Sequence, residues 1–136
     1  MKTATPIAFR VCDTEFVELS EIERFEDGSG FCSQIRVGSG EFTCTGRRFY
    51  FDDLPKFLRD LRLMYQQVGG TAELRQRYED EFVRFEMSER GHMKVTGLLK
   101  DYGAMERVFR FGFEADQSFL PAYIKSIEEV LKKLES

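Results

Sequence analysis

Apolar and polar residues alternate along the first half of the chain with a period of two, which is the signature of half-buried strands. Residues 7–12 read as a short apolar strand. Residues 15–25 read as a longer one. Val17 and Leu19 share a face, the alternation slips near Ser20 and Glu21, and Ile22 falls on the other parity. A parity slip inside a strand predicts a bulge, because one extra residue restores the buried face. Residues 31–38 put Phe31, Ile35 and Val37 on one face and Cys32, Gln34 and Arg36 on the other. Residues 41–51 slip at Gly46, between Phe42/Cys44 and Phe49/Phe51. The period then changes to 3.6. Leu54, Phe57, Leu58, Leu61, Tyr65 and Val68 form the stripe of an amphipathic helix, with Asp52 as its cap, Pro55 in its first turn and Gly69-Gly70 at its end.

The second half repeats the plan. Strands are predicted over 71–78 (Ala72, Leu74 and Tyr78 in phase), 81–88 (Val83, Phe85, Met87 inward), 92–100 (Met93, Val95, Leu99) and 106–114 (Phe109, Phe111, Phe113). A second helix follows, with Leu120, Ile124, Ile127, Leu131 and Leu134 on its stripe and Ser118 as its cap. Leu54-Pro55 aligns with Leu120-Pro121, and Phe57, Leu58 and Leu61 align with Tyr123, Ile124 and Ile127. An internal duplication would explain the match, as would the pattern common to capped amphipathic helices. The predicted fold class is α+β: mainly antiparallel β-meanders, two ββββα units with the helices packed on the sheets, in one domain over 1–136 with pseudo-repeat halves of about 1–69 and 70–136.

Composition supports a packed core. The 14 phenylalanines supply large buried areas, and 42% apolar residues exceed what a disordered chain carries. Asn is absent, so the turns rest on glycine, as in Asp27-Gly28-Ser29-Gly30 and Gly38-Ser39-Gly40. No apolar run reaches the length of a membrane span, and the N-terminus lacks the apolar stretch of a signal peptide. Cys12, Cys32 and Cys44 are odd in number and widely spaced, which reads as reduced thiols in a cytoplasmic protein.

No catalytic, cofactor-binding or metal site emerges. The single histidine, His92, falls at a strand start on the solvent face, with no small-residue elbow around any cysteine to make a Cys–His pair. The cysteines lack a zinc spacing and read as small core or half-buried strand residues, and the acidic residues lack the order of a calcium loop. The expectation is therefore a non-enzyme without cofactors. Paired surface carboxylates in a deep pocket are the enzymatic alternative.

Charge is uneven. The net −4 of the chain disfavours nucleic acid and anionic membranes as partners, but residues 13–27 alone carry seven acids (Asp13, Glu15, Glu18, Glu21, Glu23, Glu26, Asp27) against one base, Arg24. Either these acids keep an exposed edge strand soluble, or they form a docking surface for a cationic partner. Arg36, Arg47, Arg48, Arg75, Arg77, Arg84 and Arg110 interleave the strands, with Phe82 and Tyr50 predicted outward. Their two readings are cross-strand pairing with glutamates or a platform for single-stranded nucleic acid.

Four stretches carry a family resemblance: Phe51-Asp52-Asp53-Leu54-Pro55-Lys56-Phe57-Leu58, Gly70-Thr71-Ala72-Glu73-Leu74, Gly91-His92-Met93-Lys94-Val95-Thr96-Gly97, and Phe111-Gly112-Phe113-Glu114-Ala115-Asp116-Gln117-Ser118-Phe119-Leu120. Together they resemble the WapI-type bacterial immunity proteins over nearly the whole chain. The resemblance implies a non-catalytic protein that binds and neutralises a cognate toxin C-terminal domain, as a monomer or weak homodimer. It transfers no functional residue to a position in this chain. The acidic segment 13–27 is the candidate partner surface. The alternative is a single-stranded nucleic-acid-binding module, since two copies of four strands and a helix are also similar to the Whirly fold.

Overall fold

The structure, a computed structural model, describes residues 2–76 and 79–135, apart from the side chains of Arg47 and Tyr102. Among the described residues nine strands and two α-helices follow one another as β1 (Lys2–Thr3), β2 (Ile7–Cys12), β3 (Glu15–Arg24), β4 (Phe31–Ser39), β5 (Phe42–Phe51), α1 (Leu54–Gln67), β6 (Gly70–Arg75), β7 (Phe82–Met87), β8 (His92–Tyr102), β9 (Glu106–Asp116) and α2 (Leu120–Glu135). Two antiparallel meanders result. In the first sheet β3 pairs with β4 and β4 with β5, while β1 and β2 lie end to end along the other side of β3, opposite Ile22–Glu23 and Glu15–Leu19. The second sheet runs β6-β7-β8-β9. The α+β class and the meander order follow the sequence pattern. The two-residue β1 has too little pattern to read, and Arg77 and Tyr78 of the predicted strand 71–78 lie outside the described residues.

Both parity slips are bulges. Ser20 stands opposite Gln34 and Glu23 opposite Cys32, so β3 spends one residue more than β4 over that step. Glu21 takes it up at φ 49°, a left-handed conformation that costs an ordinary side chain about 1–2 kcal/mol. The return is the burial of Ile22 at 0% exposure. In β5 the extra residue falls between Cys44 and Arg47, opposite Val37 and Ile35, and it restores Phe49 and Phe51 to the core.

The helix ends differ from the sequence reading by one or two residues. Asp53 caps α1, accepting from the Lys56 N–H at 2.9 Å, where Asp52 was the expected cap. The helix closes on Val68, in the left-handed region at φ 50°, just before the two glycines. Asp116 caps a single 3-10 turn, Gln117–Phe119, that leads into α2, so Ser118 donates to a cap and is not itself one. The buried stripes are Leu54, Phe57, Leu58, Leu61 and Met64 on α1 and Leu120, Tyr123, Ile127 and Val130 on α2. Tyr65 is exposed and Ile124, Leu131 and Leu134 are half-buried, because each helix turns its face slightly from the predicted line.

One apolar core draws on both sheets and both helices. Helix α1 packs along β6 and against α2, whereas α2 crosses back to β1 and β2 of the first sheet. Phe9 of β2 joins the parts. Its ring meets Phe85 at 5.1 Å and Tyr123 at 5.4 Å edge-on, with Phe119 at 6.2 Å and Phe113 at 6.4 Å. Tyr123 is fully buried, and that burial pushes its phenol well above its ordinary value of 10.0. A group held protonated in this way contributes its full stability below its unfolded pKa and loses it as pH rises through its folded value. Urea unfolding midpoints measured from about pH 8 to about pH 11 should therefore fall with pH, and Tyr123→Phe should flatten that fall. An equal fall in both proteins would show that this phenol is not the group responsible.

Candidate functional site

The acids of residues 13–27 are carried by a strand that the structure places inside its sheet. β3 is hydrogen-bonded on both sides, to β1 and β2 on one and to β4 on the other, so the edge-strand explanation of its charge does not hold. Strand order is set by non-local pairing, which a charge pattern cannot reveal.

Ahead of the bulge, Val17 and Leu19 point to the core and Phe16 and Glu18 to the outer face. Phe16 is nevertheless only 2% exposed. The guanidinium groups of Arg10 and Arg36 lie over its ring at 4.3 and 4.9 Å. Across the ladder stands Gly38, where a Cβ would come within 2.6 Å of that ring. Glu18 lies 3.8 Å from Arg10 and opposite Arg36. The middle of this face is thus an arginine–aromatic layer with its one glutamate already engaged, and contacts of this kind contribute about 0.5–1 kcal/mol each at exposed sites.

Beyond the bulge the surroundings change. Glu21 is exposed, Glu23 half-buried, and Glu26 and Asp27 exposed in the turn that joins β3 to β4. The turn is ordered by Phe25 N–H donating to Gly30 at 2.9 Å and by Ser29 N–H donating to the Asp27 carboxylate at 2.9 Å. Phe25 stacks on Tyr50 at 6.2 Å. A groove of about 570 Å³ opens here between Glu23, Arg24, Phe25, Glu26, Asp27 and Ser29. Asp13 and Glu15 sit at the opposite end of β3, roughly 30 Å away at about 3.3 Å per residue. The seven acids therefore separate into three sets: Asp13 and Glu15 at one end, Glu18 among arginines, and Glu21, Glu23, Glu26 and Asp27 together at the other end. A continuous acidic run in sequence does not make a continuous acidic surface when the chain is extended.

On the second sheet Arg75 and Arg84 pair with glutamates, Arg84 across the ladder and Arg75 within its own strand. Glu73 accepts from Arg75 at 2.9 Å and from Arg84 at 2.7 Å, and Arg84 also reaches Glu86 at 3.7 Å. Burial works to raise the Glu73 carboxyl, but the hydrogen bonds and charges of Arg84 and Arg75 together hold it below its ordinary value. Arg75 and Arg84 both flank the Phe82 ring at 5.3 Å. Arg48 donates to the Cys32 sulfur at 3.1 Å. Arg77 and the side chain of Arg47 lie outside the described residues.

The cysteines do not gather. Cys12 is exposed beside Thr14, against the expectation of a core or half-buried strand residue; Cys32 is buried and Cys44 half-buried, as expected, and none forms a disulfide. His92 is exposed and pairs with Glu114 at 3.2 Å. Cys44 lines a groove with Leu99 and Asp101, at the far end of β8 from His92. Among the described residues no three His, Cys, Asp or Glu side chains are grouped to hold a metal ion, and no helix is long and apolar enough to cross a membrane.

Set against known proteins, the chain matches the family model described as "Immunity protein WapI-like family" over residues 5–135. No curated protein and no solved structure gives a significant match.

Proposed function

The chain belongs to the WapI-like immunity protein family, and from that premise we propose that it binds a toxin protein and neutralises it without a reaction of its own. The observation that carries this reading is the family match over residues 5–135, which spans both sheets and both helices. The physical design is compatible with inhibition by binding. Such an inhibitor needs a surface held in one shape, and both meanders here share a single aromatic-rich core.

The docking surface we assign is the end of β3 and its turn, with Glu23, Glu26 and Asp27 around the groove beside Phe25 and Glu21 next to Glu23 in a smaller recess. Acids supply long-range attraction to a cationic partner, and an aromatic in a groove supplies contact area once the partner has arrived. The three cysteines without a disulfide suit a reducing compartment, so we place the encounter in the cytoplasm.

The test is to search beside this gene for a large secreted protein and to co-express its C-terminal domain with this chain. Cells carrying that domain alone should stop growing, cells carrying both should grow, and the two purified proteins should elute as a one-to-one complex. Growth arrest despite an excess of this chain, or protection with no complex formed, would overturn the reading.

A further inference from the structure

β9 is an edge strand with a definite polarity to its backbone. Among the described residues it pairs with β8 and with no other strand. At Gly112 both backbone groups meet the Ser39 hydroxyl, the N–H donating at 3.3 Å and the C=O accepting at 2.8 Å. Those groups therefore point away from β8. In an antiparallel ladder the direction alternates residue by residue, so the N–H and C=O groups of Glu106, Val108 and Arg110 also point outward along the free edge. Ser39 closes that edge at Gly112. From Glu106 to Arg110 the ladder has no partner strand on this side among the described residues.

The side chains along this stretch are exposed, and Val108 borders a groove of about 270 Å³ that it shares with Thr43, Cys44 and Thr45 of β5. Val108 is 45% exposed, and Glu106 and Arg110 are exposed and form no ion pair among the described residues. Arg107, which faces the other way, is engaged by Asp101 at 3.2 Å. An edge is usually protected by charges that repel any incoming strand. Here the two charges have opposite sign and stand symmetrically about Val108. Run antiparallel against itself with Val108 opposite Val108, the stretch sets each Glu106 against an Arg110.

We propose that the free edge of β9 is the interface of a homodimer, in which two copies pair antiparallel about a two-fold axis through Val108. The register is fixed by the direction of the backbone groups. Glu106, Val108 and Arg110 must face their counterparts to exchange backbone hydrogen bonds, about six in all. Moving the axis to Phe109 would set Glu106 against Gly112, whose backbone groups Ser39 already occupies. Moving it to Arg107 would leave Arg110 facing Ala104, with its charge unanswered. The two second sheets would join into one continuous sheet of eight strands, and the acidic turn, on the first sheet, takes no part. The inference does not depend on the toxin-binding reading.

Sedimentation velocity over a wide concentration range tests it. The wild type should pass from monomer to dimer as concentration rises. Arg110→Glu turns two attractions into repulsions and should raise the dissociation constant by about tenfold or more. The exchange Glu106→Arg with Arg110→Glu should restore dimerisation. Val108→Pro removes an outward N–H that the β8 ladder does not use and should leave a folded monomer, with an unchanged circular dichroism spectrum. A wild type that stays monomeric at the highest concentration, or a dimer indifferent to Arg110→Glu, would overturn the proposal.

Discussion

Phe9→Ala should destabilise the protein by about 3–5 kcal/mol, measured as a shift in the urea unfolding midpoint at constant slope. Phe9 is 1% exposed and lies where β2, β7, β9, α2 and the turn before α2 converge. Truncation removes the transfer energy of the ring and leaves a cavity that four other aromatic rings cannot close without leaving their own contacts. Domains of this size are stable by about 5–15 kcal/mol, so the loss would take a large part of the total. Phe42→Ala supplies the comparison. Phe42 is 68% exposed, and its loss should stay within about 0.5 kcal/mol. A Phe9→Ala effect below about 1.5 kcal/mol would mean that the two sheets are not joined through this ring.

The second large effect concerns the acidic turn. On the proposed reading, the double variant Glu21→Lys, Glu26→Lys should slow association with the toxin domain by roughly tenfold to a hundredfold at low salt. The deficit should shrink as salt is added, because exposed charges are screened within a Debye length of about 8–10 Å. Both side chains are exposed, so unfolding midpoints should hardly move. The double variant Glu89→Lys, Glu129→Lys, the same change of charge at exposed positions in the turn between β7 and β8 and on α2, should leave the rate near that of the wild type. Equal slowing by both variants would show that overall charge, and not this turn, governs the encounter.

Much of the fold was legible because a strand with one buried face writes its parity into the sequence. The slips at Ser20–Glu21 and at Gly46 could be read as bulges since Ile22, Phe49 and Phe51 had to return to the core. Local competition blurred the helix starts. Asp52 and Asp53 are adjacent and chemically alike, and a 3-10 turn capped by Asp116 stands before α2. The rotation that buries Met64 and exposes Tyr65 is set by what lies opposite, which no period reveals. The site was legible only in part. The acids of residues 13–27 announce themselves by sign, but the burial of Phe16 under Arg10 and Arg36, the central position of β3 and the separation of Asp13 from Asp27 all depend on neighbours distant in sequence. That arginines on the strands pair with glutamates was the easier inference, because both charges alternate on adjacent predicted strands, but the particular pair of Glu73 with Arg84 needed the register.

The return of α2 to β1 and β2 bears on synthesis at the ribosome. The contact between Lys133 and Thr5 spans 128 residues of chain, and Tyr123 covers Phe9 only after both meanders have been made. The first strands to emerge therefore wait, with their apolar side uncovered, for the last helix to leave the exit tunnel. A stalled or prematurely terminated chain would lack the cover altogether, and proteases should clear it rather than let it persist as a half-folded product.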